Sequence, residues 1–344
     1  MTRVAINGFG RIGRCFLRAA LRGGAAGKSF EVVALNDLGS LENLAYLLKY
    51  DTVYGRAPFT VAVEGGALMV DGKKINFVQE KELAKLPWKD MNIDIVVEST
   101  GVFTDPAKAK GHIDAGAKRV VISAPLKGSP PAGGAETVLI GANEEKLRQC
   151  TISSNASCTT NAASPLIGIL DEAIRIEKAV LNTTHAYTAS QSLVDAPNAK
   201  DLREGRAAAQ NMVPASTGAA KATSLAYPQL KGKFDGIAVR VPVPAGSIVD
   251  VTFVSKKPTS VEEVNAILKA AANSEQWKRV FAVTEEPLVS SDILGLPYGA
   301  IADLAMTRVV DGTLVKVLAW YDNEMGYAHT LVEHVAEVSK AMRQ

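Results

Sequence analysis

The 344-residue chain is 47% hydrophobic and 22% charged, with a formal net charge of +2. That is the balance of a globular protein, too nearly neutral to make nucleic acid or a membrane its main partner, and no apolar run nears the ~20 residues of a bilayer span. Three cysteines, Cys15, Cys150 and Cys158, lack any CxxC spacing, which argues against a disulfide framework or zinc site and for a reducing, cytoplasmic setting; the length is that of two domains.

Met1 runs straight into a predicted strand, Arg3 to Asn7, so no signal peptide is expected. Gly8-Phe9-Gly10-Arg11-Ile12-Gly13 is a GxGxxG turn opening a helix. Ile12, Phe16, Ala19 and Ala20 fall on one helix face, Arg11, Arg14, Arg18 and Arg22 on another, and Gly23-Gly24 stops it. A second strand, Glu31 to Asn36, ends in Asp37. Together these form the dinucleotide-binding fingerprint. Gly8, Gly10 and Gly13 let the backbone approach a pyrophosphate, the helix start at Arg11 and Ile12 holds its charge, and Asp37 binds a ribose hydroxyl. The bland alternative is a tight turn with no ligand. The arginine row reads as a solvated face, with only Arg11 close enough to help with phosphate.

Residues 59–78 predict short antiparallel strands broken at Glu64-Gly65-Gly66 and Asp71-Gly72. Ile93 to Glu98 is an apolar strand of the buried parallel kind, and ligands in such sheets lie beyond the carboxyl ends of strands. Thr100, Gly101 and Phe103 are therefore cofactor neighbours in this reading. A helix over 105–115 and a strand from Arg119 to Ile122 repeat the unit, placing Ser123 at the next strand end; residues 125–135 are a glycine- and proline-rich loop.

The second half is organised around Ser157-Cys158-Thr159-Thr160-Asn161, just past the strand-like Cys150 to Ser153. The spacing predicts a helix over Ala162 to Ile174, so Cys158 stands at or near a helix N-terminus, which lowers a thiol's pKa and exposes the reactive thiolate. The plain alternative is a small buried hydrophobe. His185 closes an apolar strand starting at Ile176 and is the candidate base, against the reading of a satisfied histidine at a strand end. His112, His329 and His334 show no polar constellation around them in the sequence. Residues 186–211, with Pro197-Asn198, Lys200, Arg203 and Arg206, form a polar stretch long enough to be either functional or disordered. Strands are predicted over Gly236–Val243, Ser247–Ser255 and Thr313–Tyr321, with a helix over 260–272. A last helix runs from an Asn323 cap and carries Leu331, Val332, Val335, Val338 and Met342 on one stripe. Arg240 sits inside an apolar strand and needs a partner: a bound phosphate, or a carboxylate such as Asp250 or Asp303.

Five motifs in order, Ala5 to Arg14, Ser157 to Asn161, His185-Ala186-Tyr187-Thr188, Pro214 to Lys221 and Trp320 to Glu324, resemble the phosphorylating glyceraldehyde-3-phosphate dehydrogenase family, with the match running from about residue 2 to residue 340. The resemblance implies an α/β fold. A Rossmann-type dinucleotide-binding domain over 1–157, joined by the C-terminal helix at about 323–344, would accompany an α+β catalytic domain with a mixed sheet over 158–322. It implies Cys158 as nucleophile and His185 as base, with the nicotinamide near Thr100, Ser123 and Asn323. Thr188 and Arg240 would hold the substrate phosphate, and Ser157, Thr159, Thr217 and the Gly218 backbone the attacking inorganic phosphate. It further implies NAD, with NADP as a weaker alternative, glyceraldehyde 3-phosphate and inorganic phosphate as partners, and a homotetramer.

Two positions depart from the family pattern. Ala162 stands where many members carry a second cysteine. Glu204 stands where some have an arginine, so that share of anion binding passes to others such as Arg206. The rival readings are an erythrose-4-phosphate dehydrogenase, a non-phosphorylating aldehyde dehydrogenase, and a non-catalytic dinucleotide- or RNA-binding regulator. The intact Cys–His pair, the Ala-Tyr-Thr after the histidine and the anion-donor set weigh against them.

Overall fold

The computed structural model describes residues 1–22, 24, 27–127, 134–199 and 201–344. Gly23 of the expected helix stop, the middle of the 125–135 loop and Lys200 lie outside the described residues. Backbone contacts divide the chain into two compact units, one of Met1–Ala156 with Ala328–Gln344 and one of Ser157–Tyr327.

The first unit opens with β1 (Thr2–Asn7), α1 (Arg11–Leu21), β2 (Phe30–Asn36) and α2 (Leu41–Lys49). A small ribbon, β3 (Tyr50–Asp51) with β4 (Gly55–Arg56), precedes β5 (Val61–Glu64), β6 (Ala67–Val70) and β7 (Lys73–Val78). Then come β8 (Ile95–Glu98), the short helices α3 (Pro106–Ala109) and α4 (Gly111–Asp114), β9 (Arg119–Ile122), β10 (Ala135–Thr137) and β11 (Ile152–Ser154). The strands lie in the order β10-β11-β9-β8-β1-β2-β7-β6-β5. Pairing is parallel from β10 to β7 and antiparallel beyond. Val4, Ala5, Ile6, Ile95, Val96 and Val97 are all fully buried, which is why β1 and β8 read as unbroken apolar runs. From β1 the chain winds to β2 on one side and later to β8 on the other. The switch point where such sheets bind ligands therefore lies between the carboxyl ends of β1 and β8.

Two expectations change here. The helix over 105–115 is two short pieces meeting at Lys110; Gly111 packs so closely that a Cβ there would stand 2.9 Å from the Leu83 Cβ. Apart from the exposed Arg22, the arginine row of α1 is not a solvated face. Arg18 is 2% exposed and donates to the Leu48 and Gly55 carbonyls, Arg14 donates to the Phe9 carbonyl, and Arg11 is ion-paired with Asp51.

The second unit holds α5 (Cys158–Ile174), β12 (Ile176–Ala186), β13 (Val213–Ser216), α6 (Ala219–Ala226), β14 (Phe234–Val241), β15 (Ser247–Ser255), α7 (Val261–Ala272), β16 (Phe281–Thr284), β17 (Ala300–Val310) and β18 (Leu314–Tyr321). Its sheet runs β13-β14-β12-β15-β18-β17-β16. It is mixed: β12–β14 and β16–β17 pair parallel, the rest antiparallel. The last helix, α8 (Met325–Ala341), contributes its residues from Ala328 onward to the first unit. Its cap is Asp322, whose Oδ1 accepts from the Glu324 and Met325 amides, and not Asn323. The Asn323 side chain instead accepts from Gly246 N and Ser247 Oγ.

Candidate active site

In the first unit the glycine turn is built for close approach. A Cβ on Gly8, whose φ is +92°, would lie 2.6 Å from Thr100 N, and one on Gly13 would lie 2.3 Å from the Gly8 carbonyl. Gly10, by contrast, has nothing within 4 Å of that position, and as the α1 N-cap it has no side chain to occupy the first-turn amides. An open backbone cradle at a helix N-terminus fits a pyrophosphate. Asp37 accepts from Phe9 N at 2.7 Å and Gly39 N at 2.8 Å, so the acid that ends β2 also ties down the turn. Arg11 reaches back to Asp51, whose carboxylate burial would raise but the Arg11 guanidinium and the Tyr54 and Val53 amides hold low. Thr100 donates to Glu98 through both its amide and its hydroxyl, Gly101 follows at φ +73°, and Ser123 N donates to the Glu98 carbonyl.

In the second unit Ser157 caps α5, its Oγ accepting from Thr160 N at 3.1 Å, which puts Cys158 at the first helical position. Cys158 Sγ lies 3.3 Å from His185 Nε2. His185 Nδ1 lies 2.7 Å from the Ala186 carbonyl and must donate to it, so the neutral ring turns its Nε2 lone pair toward the thiol, the tautomer of a general base. Arg240 is His185's register partner across the parallel β12–β14 pair. The Nε and Nη1 of Arg240 are buried with no hydrogen-bond partner among the described residues. Neither proposed carboxylate serves it: Asp250 is paired with Lys316, and Asp303 accepts from Trp320 Nε1.

The helix start does not by itself lower the thiol. Burial pushes the Cys158 thiol up, more than Arg240 and the Thr159 amide and hydroxyl pull it down. Burial and then Arg240 press His185 down to about 3. Each charged form is penalised alone. Transfer of the proton from Sγ to Nε2 creates both at once, and opposite charges at that separation attract by about 5 kcal/mol at an effective dielectric of 20. The pair therefore titrates as one unit.

Tyr321 is a site residue that sequence reasoning passed over. Its buried hydroxyl bridges Thr159 Oγ1 at 2.9 Å and Thr183 Oγ1 at 2.7 Å, and its ring meets the His185 ring edge-on at 5.8 Å. The remaining donors are more dispersed. Thr188 Oγ1 pairs with Ser190 Oγ, and Thr217 Oγ1 accepts from Ala219 N beside the exposed Gly218. Arg206 is not a spare cation, being ion-paired with Asp195. All three histidines that show no polar constellation in the sequence have polar company, His329 facing Glu333 at 3.9 Å. His112 touches Glu98 and Trp88, and His334 touches Ser153 and Asn155.

Known proteins match this chain in both units. Residues 2–106 match the family model described as glyceraldehyde 3-phosphate dehydrogenase, NAD binding domain, and residues 157–323 match the C-terminal domain of the same family. A glyceraldehyde-3-phosphate dehydrogenase of Mycobacterium avium is 50% identical over 344 residues, 99% of each chain. Glyceraldehyde-3-phosphate dehydrogenase 2 of Streptomyces avermitilis is 49% identical over 333 residues, 96% of each chain, and the Mycolicibacterium smegmatis enzyme is 49% identical over 99% of each. This chain belongs to the glyceraldehyde-3-phosphate dehydrogenase family.

Proposed function

We propose that the chain oxidises glyceraldehyde 3-phosphate to 1,3-bisphosphoglycerate, with NAD as hydride acceptor and inorganic phosphate as acyl acceptor. The observation that carries this reading is Arg240. A guanidinium beside the Cys158–His185 pair, with two buried nitrogens unpartnered among the described residues, is costly unless a ligand anion completes it. A phosphorylated aldehyde supplies that anion and brings its carbonyl to the thiol.

In this mechanism Cys158 Sγ attacks the aldehyde carbon while His185 Nε2 takes the thiol proton. The resulting imidazolium and the Cys158 amide stabilise the oxyanion. Gly8, Gly10, Arg11, Ile12, Gly13, Asp37, Thr100, Gly101, Ser123 and Asn323 would hold NAD, which would supply the hydride acceptor. The thioester left on Cys158 is opened by phosphate held by Ser157, Thr159, Thr217 and the Gly218 amide, while Thr188 and Arg240 keep the substrate phosphate. Ser157 and Thr159 each share a hydroxyl contact in which either oxygen can donate, with Thr160 and Tyr321, so each can turn its proton toward an arriving anion. The test is NADH formation from glyceraldehyde 3-phosphate with phosphate, with arsenate and with neither. Sustained turnover only with an acceptor anion is expected. Turnover that ignores the acceptor, or equal use of unphosphorylated glyceraldehyde, overturns the reading.

NAD is preferred over NADP because the Asp37 carboxylate, fixed by Phe9 N and Gly39 N, meets the extra 2′-phosphate as a like charge. At ~4 Å that repulsion is ~4 kcal/mol at an effective dielectric of 20, reduced by solvent at the pocket mouth. Asp37→Ala raises the NADP/NAD ratio of kcat/KM but loosens the turn; a ratio above one in the unaltered chain overturns the assignment.

The outward face of the second sheet supports a homotetramer. Val180 is 61% exposed and Ile237 56% exposed on adjacent β12 and β14, while α5 to α7 contact the sheet. Leu193, Leu202 and Met212 are more exposed still. Apolar side chains left exposed on a sheet face are covered by symmetric copies in stable oligomers. Light scattering that returns a monomer mass overturns it. No helix among the described residues is long and apolar enough to cross a membrane, and the three free cysteines fit a reducing cytoplasm.

A further inference from the structure

We propose that Glu98 and His112 are positioning residues of the dinucleotide site, acting through Thr100 and Asn7 without touching the cofactor. The inference rests on the dinucleotide reading of the first unit. Glu98, the last residue of β8, is 1% exposed and His112 on α4 is wholly buried, so neither reaches a ligand. Among the described residues no lysine or arginine pairs with this carboxylate; it is held by hydrogen bonds alone. One oxygen, Oε1, accepts the amide of Thr100 at 2.9 Å and the Thr100 hydroxyl. The other, Oε2, accepts Asn7 Nδ2 at 2.6 Å and faces His112 Nε2 at 3.0 Å.

Trp88 fixes the direction of that last contact. Its indole N–H can only donate, and it points at His112 Nδ1 from 3.0 Å. The neutral ring then carries its proton on Nε2 and donates to Glu98. The four donors need an acceptor on both oxygens, which a carboxylate offers and an amide does not.

What these bonds hold is the floor of the cofactor site. Asn7 and Glu98 are register partners at the carboxyl ends of β1 and β8, the switch point of the sheet. The Gly8 backbone lies against Thr100 N, so the glycine turn keeps its place only while Thr100 keeps its own. A displaced Thr100 amide would push into the turn that must approach the pyrophosphate. The chain thus assigns a buried anion to hold two loops at a fixed spacing.

The experiment is NAD binding by titration of intrinsic fluorescence on the full chain, with melting temperature, the KM for glyceraldehyde 3-phosphate and the Cys158 alkylation rate measured alongside. Glu98→Gln leaves two of the four donors facing an NH2 group and is expected to weaken NAD binding about 10-fold, equivalent to ~1.4 kcal/mol. The aldehyde KM and the alkylation rate stay within twofold. His112→Ala is expected to weaken NAD binding about 5-fold, and His112→Gln, whose amide N–H can donate to Glu98 in place of Nε2–H, to recover most of it. If Glu98→Gln does not fold, the two His112 variants decide. NAD affinity within twofold of wild type in the folded variants overturns the proposal. So does a loss that His112→Gln fails to reduce, or one that falls equally on aldehyde KM and alkylation, since either marks general loosening. A wild-type chain that does not bind NAD removes the dinucleotide reading itself, and this proposal with it.

Discussion

Each unit takes polar atoms of a charged side chain out of water, and the two are treated oppositely. Glu98 sits at the end of β8 with four donors drawn from Asn7, His112 and Thr100, every one supplied by the chain. Arg240 sits in β14 with two buried nitrogens that no described residue serves. A buried polar group costs about 1–3 kcal/mol when unpaired, so a fold tolerates the second arrangement only where something else recovers the cost. In the proposed reading the satisfied cluster is scaffold for a site and the unsatisfied one receives the substrate anion. The same contrast separates the histidines. His112 is locked between a donor and an acceptor, while His185 keeps a lone pair directed at Cys158.

The largest expected effect is at the thiol. Cys158→Ala should abolish aldehyde oxidation while leaving NAD affinity unchanged, because the nucleophile and the glycine turn belong to different units. His185→Asn should leave a slow enzyme, down by ~10²–10⁴, the usual worth of general-base assistance. Steady-state NADH formation and an NAD titration check both. Substantial turnover by Cys158→Ala would break the assignment of the second cluster as the reacting one.

Acid should reach His334 as a stability loss. His334 is fully buried between Ser153 and Asn155, and burial presses it from 6.5 down to about 3. The unfolded chain binds that proton below pH 6.5 while the folded one does not until about 3. Its contribution is thus fully present above pH 6.5 and is lost as pH falls through that window, by roughly 4 kcal/mol at the low end. Urea midpoints across this range should fall more steeply in wild type than in His334→Gln. Parallel slopes would show that His334 already titrates in the native state.

Arg240→Leu sharpens the comparison most directly. The KM for glyceraldehyde 3-phosphate should rise about 100-fold, the loss of ~2.7 kcal/mol of charge-assisted contact. The unliganded protein should be unchanged or more stable by ~1–2 kcal/mol, because two buried guanidinium nitrogens without a partner among the described residues are gone. Glu98→Gln should do the reverse and lower the melting temperature. An Arg240→Leu chain that melts well below wild type would mean that Arg240 is satisfied in the resting fold, and the contrast would fail.

Much of this was legible from local sequence. The glycine turn, Asp37, Cys158 and His185 announce themselves because each is set by its immediate neighbours. What could not be read depended on register between distant strands. The β17 strand hides in Ala300-Ile301-Ala302-Asp303-Leu304-Ala305, where small and acidic residues blur the two-residue alternation. Arg18 looks solvated on a helical wheel until the Leu48 and Gly55 carbonyls meet it. Asn323 resembles a cap, yet Asp322 one residue earlier has the reach, because the backbone turn fixes which side chain faces the α8 amides. The company of His112 follows only from where β8 ends. The thiol's setting was misjudged because the helix start is local while desolvation is a property of the packed unit.

The smallest expected effect is at Tyr321, where a satisfied network touches the reacting pair. Its hydroxyl stands between Thr159 and Thr183, and Thr183 also donates to the Ile248 carbonyl at 3.1 Å. With Thr183 so engaged, Tyr321 donates to Thr183 and Thr159 donates to Tyr321. In the proposed reading an arriving phosphate reverses the relay, Thr183 donating to Tyr321, Tyr321 to Thr159, and Thr159 outward to the anion. Burial pushes the Tyr321 phenol up, so it serves as a neutral relay and not as a base. Tyr321→Phe keeps the ring against His185 and removes only the bridge. It should cost about 1 kcal/mol of stability, one neutral hydrogen bond's worth. The KM for inorganic phosphate should rise several-fold while the KM for aldehyde and the Cys158 alkylation rate hold. A change in alkylation as large as the change in phosphate KM would place Tyr321 with the thiol–imidazole pair instead of with the acceptor anion.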